Sequence, residues 1–162
     1  MGTITLGIGE AGAVFKPGDV IETLALGSCI AIILMDPKTH CVGMVHCALP
    51  DSKLNKEKAT ELPGYFVDTG IPYVLKLMEK AVGADKLGKI IVKLAGGACV
   101  ADKNKIFNIG KRNILATKKM LWKYRLGAIA EDVGGNNSRS VVVDVDGGRV
   151  ILKSPGLEDK EL

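Results

Sequence analysis

The sequence predicts an α+β domain, a layered α/β sandwich with a largely antiparallel or mixed sheet and two main helices. Three observations carry this reading. Apolar, β-branched runs bounded by glycine and proline recur along the 162 residues. Short turns at Asp36 to Thr39 and Asp146 to Gly148 close hairpins, which makes neighbouring strands antiparallel. Two stretches carry apolar residues at helical spacing and alternate only partly with the strands.

In chain order, strands are predicted near Thr3 to Leu6, Ile21 to Asp36, Val42 to Leu49, Lys89 to Leu94, Gly127 to Glu131, Val141 to Val145 and Arg149 to Lys153. A helix is expected from Thr69 to Val82, with Pro72 in its first turn and Gly83 just past its end. A second helix follows Gly110, turns Ile114, Leu115, Leu121, Trp122 and Leu126 to a core, and stops at Gly127. With no repeat and no interior linker, residues 1–153 read as one catalytic domain, and residues 154–162, "SPGLEDKEL", as a loose charged C-terminal tail.

Composition narrows the function classes. An apolar share of 47% with 25% charged residues is globular, and no apolar run is long enough to span a bilayer, so no membrane insertion is expected. The start "MGTITLGIGEAG" has no basic, long-apolar signal pattern, which places the chain in the cytoplasm. There the four cysteines are expected as thiols. A net charge of +4 with 4% aromatic residues gives neither the basic stripe nor the stacking rings of a nucleic-acid binder.

The segment "ETLALGSCIAIILMD", Glu22 to Asp36, is almost wholly apolar, yet Gly27 and Ser28 break it and Cys29 follows at once. A small buried hydrophobe explains Cys29 by itself. The hairpin register adds a second reading. If the loop is Pro37 to His40, Asp36 faces Cys41, Ala31 faces His46, and Cys29 lies one diagonal step away on the same sheet face. A loop one residue longer or shorter would put thiol and imidazole on opposite faces.

Two other constellations fail on their surroundings. "GIGEAG", Gly7 to Gly12, matches a dinucleotide-binding glycine pattern, but Pro17 and Gly18 follow where that fold needs a helix, so no cofactor is expected. His40, Cys41, His46 and Cys47 are all zinc-type ligands. His46 and Cys47 are strand neighbours that point to opposite faces, so no metal site is expected, and Cys41, Cys47 and Cys99 read as core thiols.

The distributed segments "GIGEAGAVFKPG", "TLALGSCIAIILMD", "GMVHCALPDS", "LAGGACV", "FNIGKRN" and "EDVGGNNSRSVVVDVDGGRV" together resemble the chemoreceptor glutamine deamidase family, CheD, in that family's order and over most of the chain. The resemblance implies a cysteine-hydrolase-like fold and a protein-glutamine deamidase of bacterial-type chemotaxis. It implies Cys29 as nucleophile, His46 as general base and acid, and Thr23 as the residue that orients the histidine. It also implies two partners, the signalling helices of chemoreceptors and a CheC-type phosphatase, with Ala98 to Gly110 as the expected phosphatase contact. The alternative is an adaptor that regulates that phosphatase without appreciable turnover. One departure is "GGNNSRS", which lacks a second glycine before Arg139.

The chemistry suits these residue types. A carboxamide is a poor electrophile, and a thiolate is a better nucleophile than water at neutral pH. An imidazolium beside Cys29 is expected to lower the thiol pKa, so that Cys29 alkylates near pH 6.5, below the ordinary value of about 8.5. The Gly27–Ser28 break is expected to aim backbone N–H groups at the oxyanion.

Overall fold

The computed structural model describes residues 2–100 and 107–162. With strands numbered along the chain, one five-stranded sheet runs in the spatial order β1 (Thr3–Leu6), β3 (Val20–Leu26), β8 (Arg139–Asp144), β9 (Val150–Lys153), β10 (Lys160–Glu161). The other runs β2 (Ala11–Val14), β5 (Val42–Cys47), β4 (Ile30–Met35), β6 (Ile91–Gly96), β7 (Ala128–Val133). Both sheets are mixed: β1 pairs with β3 and β6 with β7 in parallel, and the remaining pairs are antiparallel. Helices α1 (Lys56–Glu61), α2 (Val67–Val82) and α3 (Ile109–Lys123) complete the described residues.

The sheets pack face to face, and α2 and α3 cover the other face of the second sheet. Between the sheets lie Leu6, Ile21, Leu26, Ala31, Ile33, Met44, Val141, Val143 and Val150. Under the helices lie Ile30, Ile32, Leu34, Cys47, Ile71, Val74, Met78 and Leu121. Strands β4 and β5 are therefore buried on both faces, which is why their sequences are apolar without alternation. Each fully buried isoleucine or leucine here contributes about 1.5–3 kcal/mol of hydrophobic stabilisation.

The long run Ile21 to Asp36 is two strands. The chain leaves the first sheet after Leu26 and enters the second at Ile30, so Gly27, Ser28 and Cys29 form the crossover. The backbone turns there by way of a bulge between Thr23 and Leu26, with Ala25 in the left-handed region at φ 55°. From Ile30 the β4–β5 hairpin has the predicted register, with Ala31 opposite His46 and the Asp36 N–H donating to the Cys41 carbonyl at 2.9 Å.

Three expectations need correction. Helix α2 starts at Val67, so Pro72 lies in its second turn rather than its first. The helix tolerates it because its buried stripe Val67, Gly70, Ile71, Val74 and Met78 anchors it to β5. Helix α3 ends at Lys123, before Gly127, and leaves Leu115 and Trp122 exposed while Leu121 is buried. The tail expected to be loose returns to the sheet: Lys160–Glu161 pair with β9, and the Leu162 N–H donates to the Val150 carbonyl at 2.8 Å. "GIGEAG" leads into a strand, β2, through a turn in which the Gly7 N–H donates to Glu10. No helix among the described residues is long and apolar enough to cross a membrane.

Candidate active site

Cys29 is half-buried at the crossover and packs against the inter-sheet core. The main chain around it is held by its carbonyls. Gly27 accepts from the Ala98 N–H at 2.8 Å, Ser28 from Asn113 Nδ2 at 2.8 Å, and Cys29 from the Gly97 N–H at 2.7 Å. Gly96 is required beside this turn, since its φ is 113° and a side chain there would overlap the Cys29 carbonyl. With three successive carbonyls turned to protein donors, the following N–H groups point the other way, and the Cys29 N–H reaches its own thiol.

His46 lies on β5, two per cent exposed, with its ring between the sheets. Thr23 of β3 meets it from the facing sheet, with Oγ1 2.6 Å from His46 Nδ1. The threonine hydroxyl carries one hydrogen and donates it to the Leu6 carbonyl at 2.8 Å. It is therefore an acceptor towards the ring, Nδ1 carries the proton, and Nε2 presents a lone pair. Nε2 is buried and has no hydrogen-bond partner among the described residues.

Burial moves both titrating groups away from an ion pair. It lowers the His46 pKa to about 4, against a smaller opposing pull from the Glu10 carboxylate. It raises the Cys29 thiol, which its own backbone N–H partly offsets. Both shifts run against the expected imidazolium and low-pH thiolate and favour a neutral thiol and a neutral imidazole.

The expected oxyanion residues Gly27 and Ser28 line a cleft of about 400 Å³ together with Ala98, Cys99, Phe107 and Lys111. Of the segment Ala98 to Gly110 expected to meet a partner, residues 101–106 lie outside the described residues. A second cleft, of about 350 Å³, opens at the far turn of the hairpin beside His40, Cys41 and Asp146. Cys41 there is fully buried, and burial together with the Asp36 charge pushes its thiol up to about 11, which disfavours a reactive thiolate at that end. Cys47 packs under α2, on the face of β5 opposite His46, and no group of three metal-ligand side chains occurs among the described residues.

Two residues hold the turn around Cys29: Asn113, which the sequence did not single out, and Arg139, which it marked only for the missing glycine before it. Asn113 of α3 is fully buried and binds both the nucleophile turn and the end of the histidine strand. Arg139, seven per cent exposed, donates to the Gly96 and Gly134 carbonyls at 3.0 Å each and so steadies the loop that grips Cys29. Both lie in segments that marked the family resemblance. For Asn113 the signal was a polar side chain on the core-facing side of α3, whereas Arg139 begins strand β8.

Among known proteins, the family described as CheD chemotactic sensory transduction matches residues 48–154, a stretch that starts just past His46. The "Probable chemoreceptor glutamine deamidase CheD" of Syntrophotalea carbinolica is 50% identical over 157 residues, covering 96% of each chain. "Probable chemoreceptor glutamine deamidase CheD 1" of Syntrophus aciditrophicus is 41% identical over 162 residues and the full length of both. "Chemoreceptor glutamine deamidase CheD" of Thermotoga maritima is 38% identical over 161 residues, covering 97% of this chain and 98% of its own.

Proposed function

The chain belongs to the CheD chemotaxis family, and we propose that it hydrolyses the side-chain amide of chemoreceptor glutamines with Cys29 as nucleophile and His46 as base. The observation that carries the residue assignment is the His46 ring. Thr23 holds the proton on Nδ1, and Nε2 keeps a buried lone pair with no partner among the described residues, on the inter-sheet side against which Cys29 packs. A stranded acceptor of this kind is destabilising, and a proton-accepting role accounts for its retention.

As the Cys29 sulfur bonds to the glutamine carboxamide carbon, its proton passes to His46 Nε2 and the carbonyl electrons move to oxygen. The Cys29 N–H and the turn at Gly27 and Ser28 face the developing oxyanion. The Nε2 proton then goes to the leaving nitrogen, the C–N bond breaks, and ammonia departs from a thioester. Water adds to the thioester as Nε2 takes one of its protons, the C–S bond breaks, and glutamate and the free thiol result. One amide and one water become one carboxylate and one ammonium, with no cofactor. Thr23 acts as a positioning residue that keeps the ring in the base-bearing tautomer. The arrangement is cysteine-hydrolase-like, with the nucleophile at the start of a buried strand.

The same proposal places the enzyme in the cytoplasm, where receptor signalling helices lie, and gives it a CheC-type phosphatase as second partner. Exposed Val100 and Phe107 beside the cleft support a docking surface there. A purified receptor fragment incubated with this protein should gain about 1 Da per site, and Cys29→Ala should give no gain. Turnover by Cys29→Ala at the wild-type rate would refute the thioester route.

A further inference from the structure

Asn113 is polar, fully buried and unused in the reaction above. It lies on the inner face of α3 in a stripe with Gly110, Thr117 and Leu121. Nδ2 donates both its hydrogens, one to the Ser28 carbonyl at 2.8 Å and one to the Ala48 carbonyl at 3.0 Å. Oδ1 is buried without a partner among the described residues. Turning the amide over would set Oδ1 against two carbonyl oxygens, so the surroundings determine its orientation. A stranded acceptor is destabilising, and an apolar side chain of similar shape would avoid it. What asparagine supplies is a fork of two N–H groups.

Those two carbonyls stand on the two arms of another fork. The β4–β5 ladder ends at the pair Ile30 and Cys47. Beyond it the arms part: Ala48 and Leu49 donate to the Tyr65 carbonyl, while the Cys29 carbonyl is taken by Gly97. Extending the register would set Cys29 opposite Ala48, but no ladder pairing joins them. Asn113 bridges the gap with one N–H to each arm. Gly110 allows it to come so close, since a side chain there would overlap the Gly97 and Ala98 carbonyls.

We infer that Asn113 is a positioning residue for deamidation: by tying the Ser28 carbonyl to the Ala48 carbonyl, it sets the separation of the Cys29 thiol from the His46 imidazole and the direction of the Cys29 N–H. This rests on the Cys29–His46 reading of the reaction. The Ser28 carbonyl and the Cys29 N–H share one peptide plane and point opposite ways. Holding the carbonyl towards α3 therefore turns the N–H towards the thiol and the reacting oxygen.

Two variants test it. Asn113→Leu keeps the branched outline with larger end groups and removes both N–H groups. Asn113→Asp keeps shape, repels both carbonyls when ionised, and can donate to one of them when protonated. With a receptor fragment, Asn113→Leu should lose about 100-fold in kcat with KM changed less than about 3-fold. Asn113→Asp should recover turnover as the pH falls from about 8 to about 6, an interval in which wild type stays level. Alkylation of Cys29 by iodoacetamide, read by peptide mass, should slow about 3-fold or more in Asn113→Leu. If Asn113→Leu does not fold, the pH profile and Cys29 alkylation of Asn113→Asp decide. Folded variants with wild-type kcat, a level profile and unchanged alkylation would overturn the inference. Wild type that leaves the receptor fragment unmodified would instead refute the deamidase reading, while Cys29 alkylation in the variants would still show whether Asn113 positions the thiol.

Discussion

The β4–β5 hairpin has a cysteine and a histidine near each end, and the two ends differ in how their polar groups are satisfied. At the turn, His40 and Cys41 are chain neighbours. Asp36 closes that turn by accepting from the Lys38 N–H at 3.1 Å, the Thr39 hydroxyl at 2.6 Å and the Gly88 N–H at 3.1 Å. Cys41 is sealed under the helices. At the open end, Cys29 of the crossover and His46 of β5 both lie on the inter-sheet side, and two buried polar atoms, His46 Nε2 and Asn113 Oδ1, lack partners among the described residues. One end satisfies its polar groups and is stable. The other leaves two buried acceptors without partners among the described residues, the end where the proposed chemistry lies.

This contrast can be broken by mutation. The largest effect is expected at Cys29, where alanine should remove measurable deamidation and leave the melting temperature within a few degrees of wild type. His46→Ala should lower kcat by about 10²- to 10⁴-fold, and added imidazole that restored part of it would confirm a missing base. Thr23→Val keeps the shape and frees the tautomer, so kcat should fall roughly 10-fold or more while KM holds. The turn end should respond oppositely: Asp36→Ala should cost about 1–3 kcal/mol in denaturant unfolding and leave kcat per folded molecule unchanged. A kcat loss there as large as that of Thr23→Val would show that the two ends are not independent.

A pH series sharpens the same contrast. His46 is held neutral in the folded protein, with its pKa at about 4, whereas the unfolded chain protonates near 6.5. Its depressed folded value means that the stability is complete above pH 6.5 and is lost as the pH falls towards 4, by roughly 3 kcal/mol. His46→Gln should flatten that part of the stability curve. In turnover, the acid limb due to the base should lie near pH 4 rather than near 6.5.

How much of this was legible in the sequence follows from what each element must do. The hairpin register was readable because the Pro37 to His40 turn and a period-two strand leave little freedom, and Ala31 does face His46. The phase of α3 was misread. Leu115 and Trp122 suggested a core face, but the helix turns Gly110, Asn113 and Thr117 inward and leaves Trp122 82% exposed. Hydrophobic periodicity assumes an apolar inner face, and here that face holds the site. The pKa directions were also beyond the sequence. They depend on how deeply His46 and Cys29 sink between two sheets, and the sequence did not separate the two sheets from one.

In the proposed mechanism a neutral thiol and a neutral, Nδ1-protonated imidazole lie on the same inter-sheet side, and Nε2 serves as base. The most direct test is the rate of Cys29 alkylation by iodoacetamide against pH, read by peptide mass in wild type and His46→Ala. The wild-type midpoint should lie at or above the ordinary thiol value of about 8.5, with no low-pH plateau that depends on His46. A midpoint below about 7 that moves upward in His46→Ala would contradict it, and would mean that the resting pair is a thiolate and an imidazolium.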